Sequence, residues 1–383
     1  SLDYTGTTGI ATALGHAPQA ALADPEAGSV LSVAESLTNL VWAPMADGMD
    51  SISLSANWMW PCRAQEGEDA RLYKAVKALS DFCCELQINV PTGKDSLSMT
   101  QKYHDGKKII APGTVIVSSG GEVSDIRKVV SPVIKNMADS RLYYIDFSFD
   151  KLQLGGSAFA QSQGKVGSDV PTVKNAEYFR DAFMAIQQLV NEGLVLAGHD
   201  ISAGGIITTL LEMCFANTKG GLDLCFDKIQ EADIVKILFA ENPGVVIQVS
   251  DANAPRAKKI LEDAGVAYAK IGKPAEGREI TIHKNISNAQ VPNAKIADRD
   301  MVFTFDIDAL RDVWYSTSYL LDRRQSFNGK ADERYANYKN IPVEWTVSGE
   351  PLTKTPRPEG RRPVAAIIRE KGTNSEREMA WSF

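Results

Sequence analysis

Long apolar runs are missing from this chain. Across 383 residues no stretch approaches the roughly 18 that a membrane-spanning helix needs, so a helical membrane protein is excluded. A cationic excess is missing as well. Lys and Arg number 41 against 48 Asp and Glu, a net charge of −7, which argues against a general nucleic-acid binder. Cysteine is scarce: Cys62, Cys83, Cys84, Cys214 and Cys225 show no metal-site spacing, and adjacent Cys83 and Cys84 make a poor disulfide pair. Reduced, mostly buried thiols in the cytoplasm are the simplest reading. What remains is ordinary for a soluble globular protein: 44% hydrophobic and 23% charged residues. The length suggests two to three domains.

The segment Pro91-Thr92-Gly93-Lys94-Asp95-Ser96-Leu97-Ser98-Met99 carries the densest chemistry. Apolar Ile88 and Val90 run into a turn, which then presents a cation, a carboxylate and hydroxyls. Gly93 lets a backbone approach a ligand closely. Lys94 can neutralise an anionic oxygen. Asp95 can hold a metal or accept a proton, and Ser96 can donate to phosphate. The plain alternative is a polar surface turn in which Lys94 and Asp95 pair with each other.

Two distant segments have matching chemistry. Ser32–Leu40 reads as helix, with apolar residues three and four apart and no Gly or Pro inside. Glu35 and Asn39 are four apart and share one face. They offer a carboxylate and an amide oxygen, hard ligands of the kind Mg²⁺ takes beside water and phosphate. A merely solvated face is the alternative. In Ala197-Gly198-His199-Asp200-Ile201-Ser202-Ala203-Gly204-Gly205 a buried strand hands over to a helix. Free N–H groups at a helix start attract anions. Asp200 could ligate a metal that bridges them, and Ser202 could bond a nucleotide. The alternative is that Asp200 or Ser202 caps the helix. His199 reads as a structural histidine. The Leu154-Gly155-Gly156-Ser157 turn could cradle phosphate, but a tight turn against a packed helix is slightly favoured.

"SVAESLTNL", "LSANWM", "GEDARLYKAVKAL", "PTGKDSLSM" and "GHDISAGG", in this order and spacing, closely resemble phosphoribosylformylglycinamidine synthase in its large, single-chain form. The likeness is to the second half of its synthetase region and runs over essentially the whole chain. It implies an α/β (α+β) fold: an aminoimidazole-ribonucleotide-synthetase-like half, with a barrel-forming N-terminal domain and an α/β C-terminal domain. The expected boundaries are 1–133 for the first and 134–328 for the second. A Pro-rich linker at 329–362 follows, then the start of a class I glutamine amidotransferase domain at 363–383. There Val364–Ile368 reads as the opening strand. No cysteine follows Cys225, so the glutaminase nucleophile is not in this chain. The abrupt entry at Leu2–Gly9, without an initiator Met, reads as a piece of a longer protein, with Ser1 a cloning remnant.

The resemblance also implies function. The family converts formylglycinamide ribonucleotide, ATP and glutamine-derived ammonia to formylglycinamidine ribonucleotide, ADP and phosphate, by phosphorylating an amide oxygen. Glu35, Asn39 and Asp200 match its Mg²⁺ ligands at a structural nucleotide, ATP or ADP, and Ser202 matches a contact to that nucleotide. Gly93, Lys94 and Ser96 match the signature this half lends to the working cleft. The small form of the enzyme has an asparagine-type metal ligand where Lys94 stands. Either Asp95 takes that role or Lys94 replaces the cation electrostatically. The catalytic histidine and the glycine-rich nucleotide loop belong to the other half, so this chain alone is expected not to turn over. The expected partners are that half, the glutaminase domain and small-molecule substrates, with a homodimer of this chain as the alternative. Thiamine monophosphate kinase and selenophosphate synthetase are more distant relatives, and the "GKDSLSM" segment argues against them.

Overall fold

The computed structural model describes residues 6–62, 65–286, 299–340, 364–371 and 375–382. The first part builds β1 (Gly9–His16), α1 (Pro18–Ala23), α2 (Pro25–Leu40), β2 (Ile52–Met59), α3 (Glu68–Leu86), β3 (Asn89–Ser96), β4 (Thr100–Lys102), β5 (Lys108–Ile110) and β6 (Thr114–Val123). A four-stranded sheet in the order β1-β6-β2-β3 forms from them, parallel only between β2 and β3. Helix α2 starts where Asp24 accepts the backbone N–H groups of Glu26 and Ala27 and Pro25 opens the first turn. Nearly all of its other faces are buried, which leaves Glu35 and Asn39 as its polar stripe.

The second part contributes β7 (Ser140–Asp146), α4 (Ala158–Ser162), α5 (Ala176–Asn191), β8 (Val195–Asp200), α6 (Gly205–Phe215), β9 (Gly221–Cys225), α7 (Ile234–Phe239), β10 (Gly244–Ser250), α8 (Ala254–Asp263), β11 (Tyr268–Ala275), β12 (Glu279–Ile286), β13 (Arg299–Asp306), α9 (Ile307–Gln325) and α10 (Lys330–Asn337). Its seven strands run in the order β13-β12-β9-β11-β7-β10-β8. Only β9 and β12 pair in parallel. Strand β10 lies between β7 and edge strand β8 and is buried along almost its whole length, as its unbroken Val-Val-Ile run requires.

One core runs through both parts. It joins Leu37 of α2 and Leu54 of β2 to Phe179 and Phe183 of α5 and Val245 of β10. Gln187 of α5 adds a polar tie, accepting the N–H of Met45 and donating to the carbonyls of Val41 and Ala43. Residues through Ile341 accordingly form one unit.

Three expectations change. The Gly93–Ser96 segment is the end of edge strand β3, not a turn: Gly93 lies so close to β2 that a Cβ would stand 2.2 Å from the Ala56 carbonyl oxygen. The linker expected from Gly329 instead opens with α10, which stacks Tyr335 and Tyr338 on Tyr315 of α9; residues 341–362 lie outside the described ones. In the C-terminal unit Val364–Ile368 takes no strand partner among the described residues and is irregular, with Val364 87% exposed. Helix α11 (Glu376–Ser382) follows it. The thiols also differ in part from expectation: all five cysteines are free, but only Cys83 and Cys214 are buried, and Cys84 and Cys225 are exposed.

Candidate functional site

A cleft opens between α2, the end of β1, the Gly155–Gly156 turn and the junction of β8 with α6. His16, Glu35, Thr38, Gly156, Ser202 and Glu241 are among the residues that line it. Two close backbone approaches bring the surrounding elements together. Gly15 lies so near α2 that a Cβ would stand 2.1 Å from the Ser32 carbonyl oxygen. Gly156, at φ +68°, sits against Ala20 of α1, where a Cβ would come within 2.4 Å of a backbone carbon.

Helix α2 meets the free edge of β1 through its polar stripe. The Glu35 carboxylate accepts the backbone N–H of His16 at 2.7 Å, and the Asn39 amide donates to the Leu14 carbonyl at 3.1 Å. Both backbone groups face away from β6, so the stripe satisfies an otherwise open sheet edge. Glu35 keeps its second oxygen for the cleft. Asn39 lies one turn further along and does not line the cleft itself.

Asp200 ends β8 just before the cleft-lining Ile201 and Ser202; it is 3% exposed and does not line the cleft itself. Its Oδ1 meets His199 Nδ1 at 3.1 Å, while its Oδ2 is buried with no hydrogen-bond partner. Such an orphaned carboxylate oxygen costs free energy unless a cation or donor reaches it. The capping alternative is not realised: Gly204 is the N-cap of α6, with no side-chain cap. His199 bridges Asp200 and Glu212, with Nε2 at 3.2 Å from Glu212. Burial pushes its pKa down, but hydrogen bonds and charge from both carboxylates outweigh this and hold it up at about 10. Held between the two carboxylates, the ring steadies Asp200.

Electrostatics mark the cleft as a place for positive charge. Burial, first, and then the charges of Asp200 and Glu241 push Glu35 up to about 7, against the lowering bond from His16. Among the described residues no three His, Cys, Asp or Glu side chains converge as a ready metal cage. Mg²⁺ does not require one, because it keeps several waters and takes one or two carboxylates plus phosphate oxygens. An orphaned Asp200 oxygen and a desolvated Glu35, near enough for the charge of Asp200 to act on Glu35, fit that donor set.

The Gly155–Gly156 turn does not offer its N–H groups to a ligand. They are committed to the carbonyls of Asp169 at 2.8 Å and Val166 at 2.6 Å. The turn packs on α1, as the plainer reading of the sequence has it. Ser202 lines the cleft. Gly93, Lys94, Asp95 and Ser96 do not: they lie on exposed β3, where Lys94 donates to Ser96 at 2.5 Å rather than pairing with Asp95. Glu241 was not legible in the sequence. It follows no motif, and only the fold carries it from the start of β10 to the cleft.

Residues 1–122 match the FGAR-AT PurM_N-like domain, and residues 141–285 match the AIR synthase related protein, C-terminal domain. Phosphoribosylformylglycinamidine synthase of Homo sapiens is 34% identical over 389 residues, which cover 100% of this chain and 28% of that protein. This chain is homologous to one segment of phosphoribosylformylglycinamidine synthase. The synthase of Saccharomyces cerevisiae is 34% identical across 98% of this chain and 28% of its own length. The probable chloroplastic/mitochondrial synthase of Arabidopsis thaliana is 35% identical across 99% of this chain and 26% of its own length. The chain thus spans little more than a quarter of the synthases it matches. Among solved structures, T. maritima PurL complexed with FGAR aligns at TM-score 0.60 and 14% identity, over 95% of this chain and 50% of that one. T. maritima PurL complexed with ATP aligns at 0.57 and 14%, over 80% and 44%. These structures speak for the fold, which is the mixed α/β architecture of a synthase half.

Proposed function

We propose that this segment serves a purine-biosynthetic, ATP-dependent C–N ligase, and that its cleft holds a nucleotide, ADP or ATP, with Mg²⁺. Glu35, Asn39 and Asp200 are the proposed metal ligands, and Ser202 the nucleotide contact. The orphaned Oδ2 of Asp200, whose charge acts on Glu35 of the cleft, carries this reading. Bound Mg²⁺ would screen these carboxylates from the nucleotide's phosphates and from each other.

The proposed reaction is that of the synthases named above. ATP gives its terminal phosphoryl group to the amide oxygen of formylglycinamide ribonucleotide. Ammonia, released from glutamine with glutamate as co-product, then displaces phosphate at that carbon. Phosphoryl transfer depends mainly on positioning and charge neutralisation. Strand β3 supplies Gly93, Lys94, Asp95 and Ser96 to a second cleft completed by another half. The exposed side of the four-stranded sheet supports that assembly. Ile10 and Leu14 of β1 are 65% and 61% exposed there, and β1 and β3 have no outer strand partner among the described residues. A second synthase half, or a second copy of this chain, would cover the face. A glutaminase domain would supply the ammonia. Among the described residues no helix is long and apolar enough to cross a membrane. Five free cysteines favour a reducing compartment such as the cytoplasm.

Phosphate release with ATP, formylglycinamide ribonucleotide and ammonium tests the division of labour. No turnover is expected from this chain alone. Turnover by a monomer would refute the need for a second half; turnover by a dimer would assign the covered sheet face to a second copy.

A further inference from the structure

Glu241 and Asn242 sit side by side just before β10 in polar company, Glu241 half-buried and Asn242 buried. Asn242 is 1% exposed; its amide oxygen accepts the Gln153 N–H at 3.2 Å and its nitrogen donates to the Lys151 carbonyl at 2.9 Å. That fixes the entry to the Gly155–Gly156 turn. Glu241 Oε1 fixes its exit by accepting the Ala158 N–H at 2.7 Å. The same oxygen accepts the Gly204 N–H, also at 2.7 Å, in the turn that carries Ser202 into α6. Two turns from distant parts of the chain therefore hang on one carboxylate oxygen. Gly204 is at φ +92°, a conformation that a side chain would strain, so glycine is what lets the turn present this N–H to Glu241. Burial raises the Glu241 carboxyl above its ordinary range, and the two N–H bonds offset this only in part.

We infer that Glu241 is a positioning residue that couples the two walls of the cleft, so that the Gly155–Gly156 turn and the Ser202–Gly204 turn hold one spacing around the phosphates of the nucleotide. This rests on the proposed reading of the cleft as a nucleotide site. A carboxylate shared by two N–H donors outlasts either bond alone, because loss of one leaves the other to hold the side chain. The second oxygen, Oε2, accepts no hydrogen bond among the described residues and is left to the cleft.

The test joins amide hydrogen exchange to titration with MgADP and with adenosine. Glu241→Ala is expected to raise exchange at Ala158 and Gly204 together by at least tenfold, with the β10 amides of Val246 and Ile247 unchanged. It is expected to weaken MgADP about tenfold and to leave adenosine unmoved. Glu241→Gln keeps an acceptor oxygen and should restore both amides. Ala158→Pro is the second variant. It removes one donor at the first position of a helix, where proline is tolerated, and should weaken MgADP several-fold while Gly204 stays protected. Exchange that rises at one turn only, or a glutamine variant that behaves like alanine, overturns the coupling. A parent that holds both amides protected yet fails to bind MgADP overturns the nucleotide reading instead, and the two failures are distinguishable.

Discussion

The carboxylate of Glu35 accepts the backbone N–H of His16 at 2.7 Å, so a helix side chain closes the free edge of a sheet strand and faces a cleft with its other oxygen. That bond sets the side chain's position and lowers its pKa, while burial and the charges of Asp200 and Glu241 raise it further. Without Mg²⁺ its carboxyl is raised from 4.5 to about 7. Between these pH values the folded chain keeps a proton that the unfolded chain has lost. Stability of the metal-free protein is therefore full below pH 4.5 and declines as pH rises toward 7, by on the order of 3 kcal/mol. Glu35→Gln should flatten that slope in chemical denaturation. An unchanged slope would mean that Glu35 is not the titrating group.

Gln187 gives a prediction about the fold alone. It satisfies the N–H of Met45 and the carbonyls of Val41 and Ala43 from within the shared core. Leucine in its place would strand those groups, at about 1–3 kcal/mol for each one left unpaired. A loss of about 3 kcal/mol is expected by denaturant titration, with MgADP affinity kept well below the melting temperature. A neutral substitution would show that the tie contributes nothing net.

Thiol labelling separates the cysteines. Burial pushes Cys83 and Cys214 up to about 12, so neither presents a thiolate at neutral pH. Cys84, its neighbour on the exposed side of α3, should react first in the native protein. Rapid loss of the Cys83 thiol before unfolding would contradict the packing of α3.

Lys94 distinguishes two sites on one chain. It lies on exposed β3 and outside the cleft of Glu35 and Asp200. Lys94→Ala should leave MgADP binding by this chain within twofold of the parent. A larger loss would place β3 at the nucleotide.

Much of this was readable from the residues. The period of Ser32–Leu40 gave helix α2, and the spacing of Glu35 and Asn39 gave their common face. Segment 93–96 was misread because Pro91 and Gly93 mark turns by composition, whereas here Gly93 serves close strand approach. Helix α9 was passed over because its apolar residues are spread around it, with Val313, Leu320 and Leu321 exposed. Glu241 could not be found, because hydrogen bonds between distant turns leave no local pattern.

Calorimetric titration of MgADP into this chain and into Asp200→Ala bears most directly on the cleft. The parent should bind, and the variant should lose at least tenfold in affinity, with its unfolding still cooperative. Equal binding by both would contradict Asp200 as a ligand, and no binding by the parent would contradict the cleft as a nucleotide site in this chain.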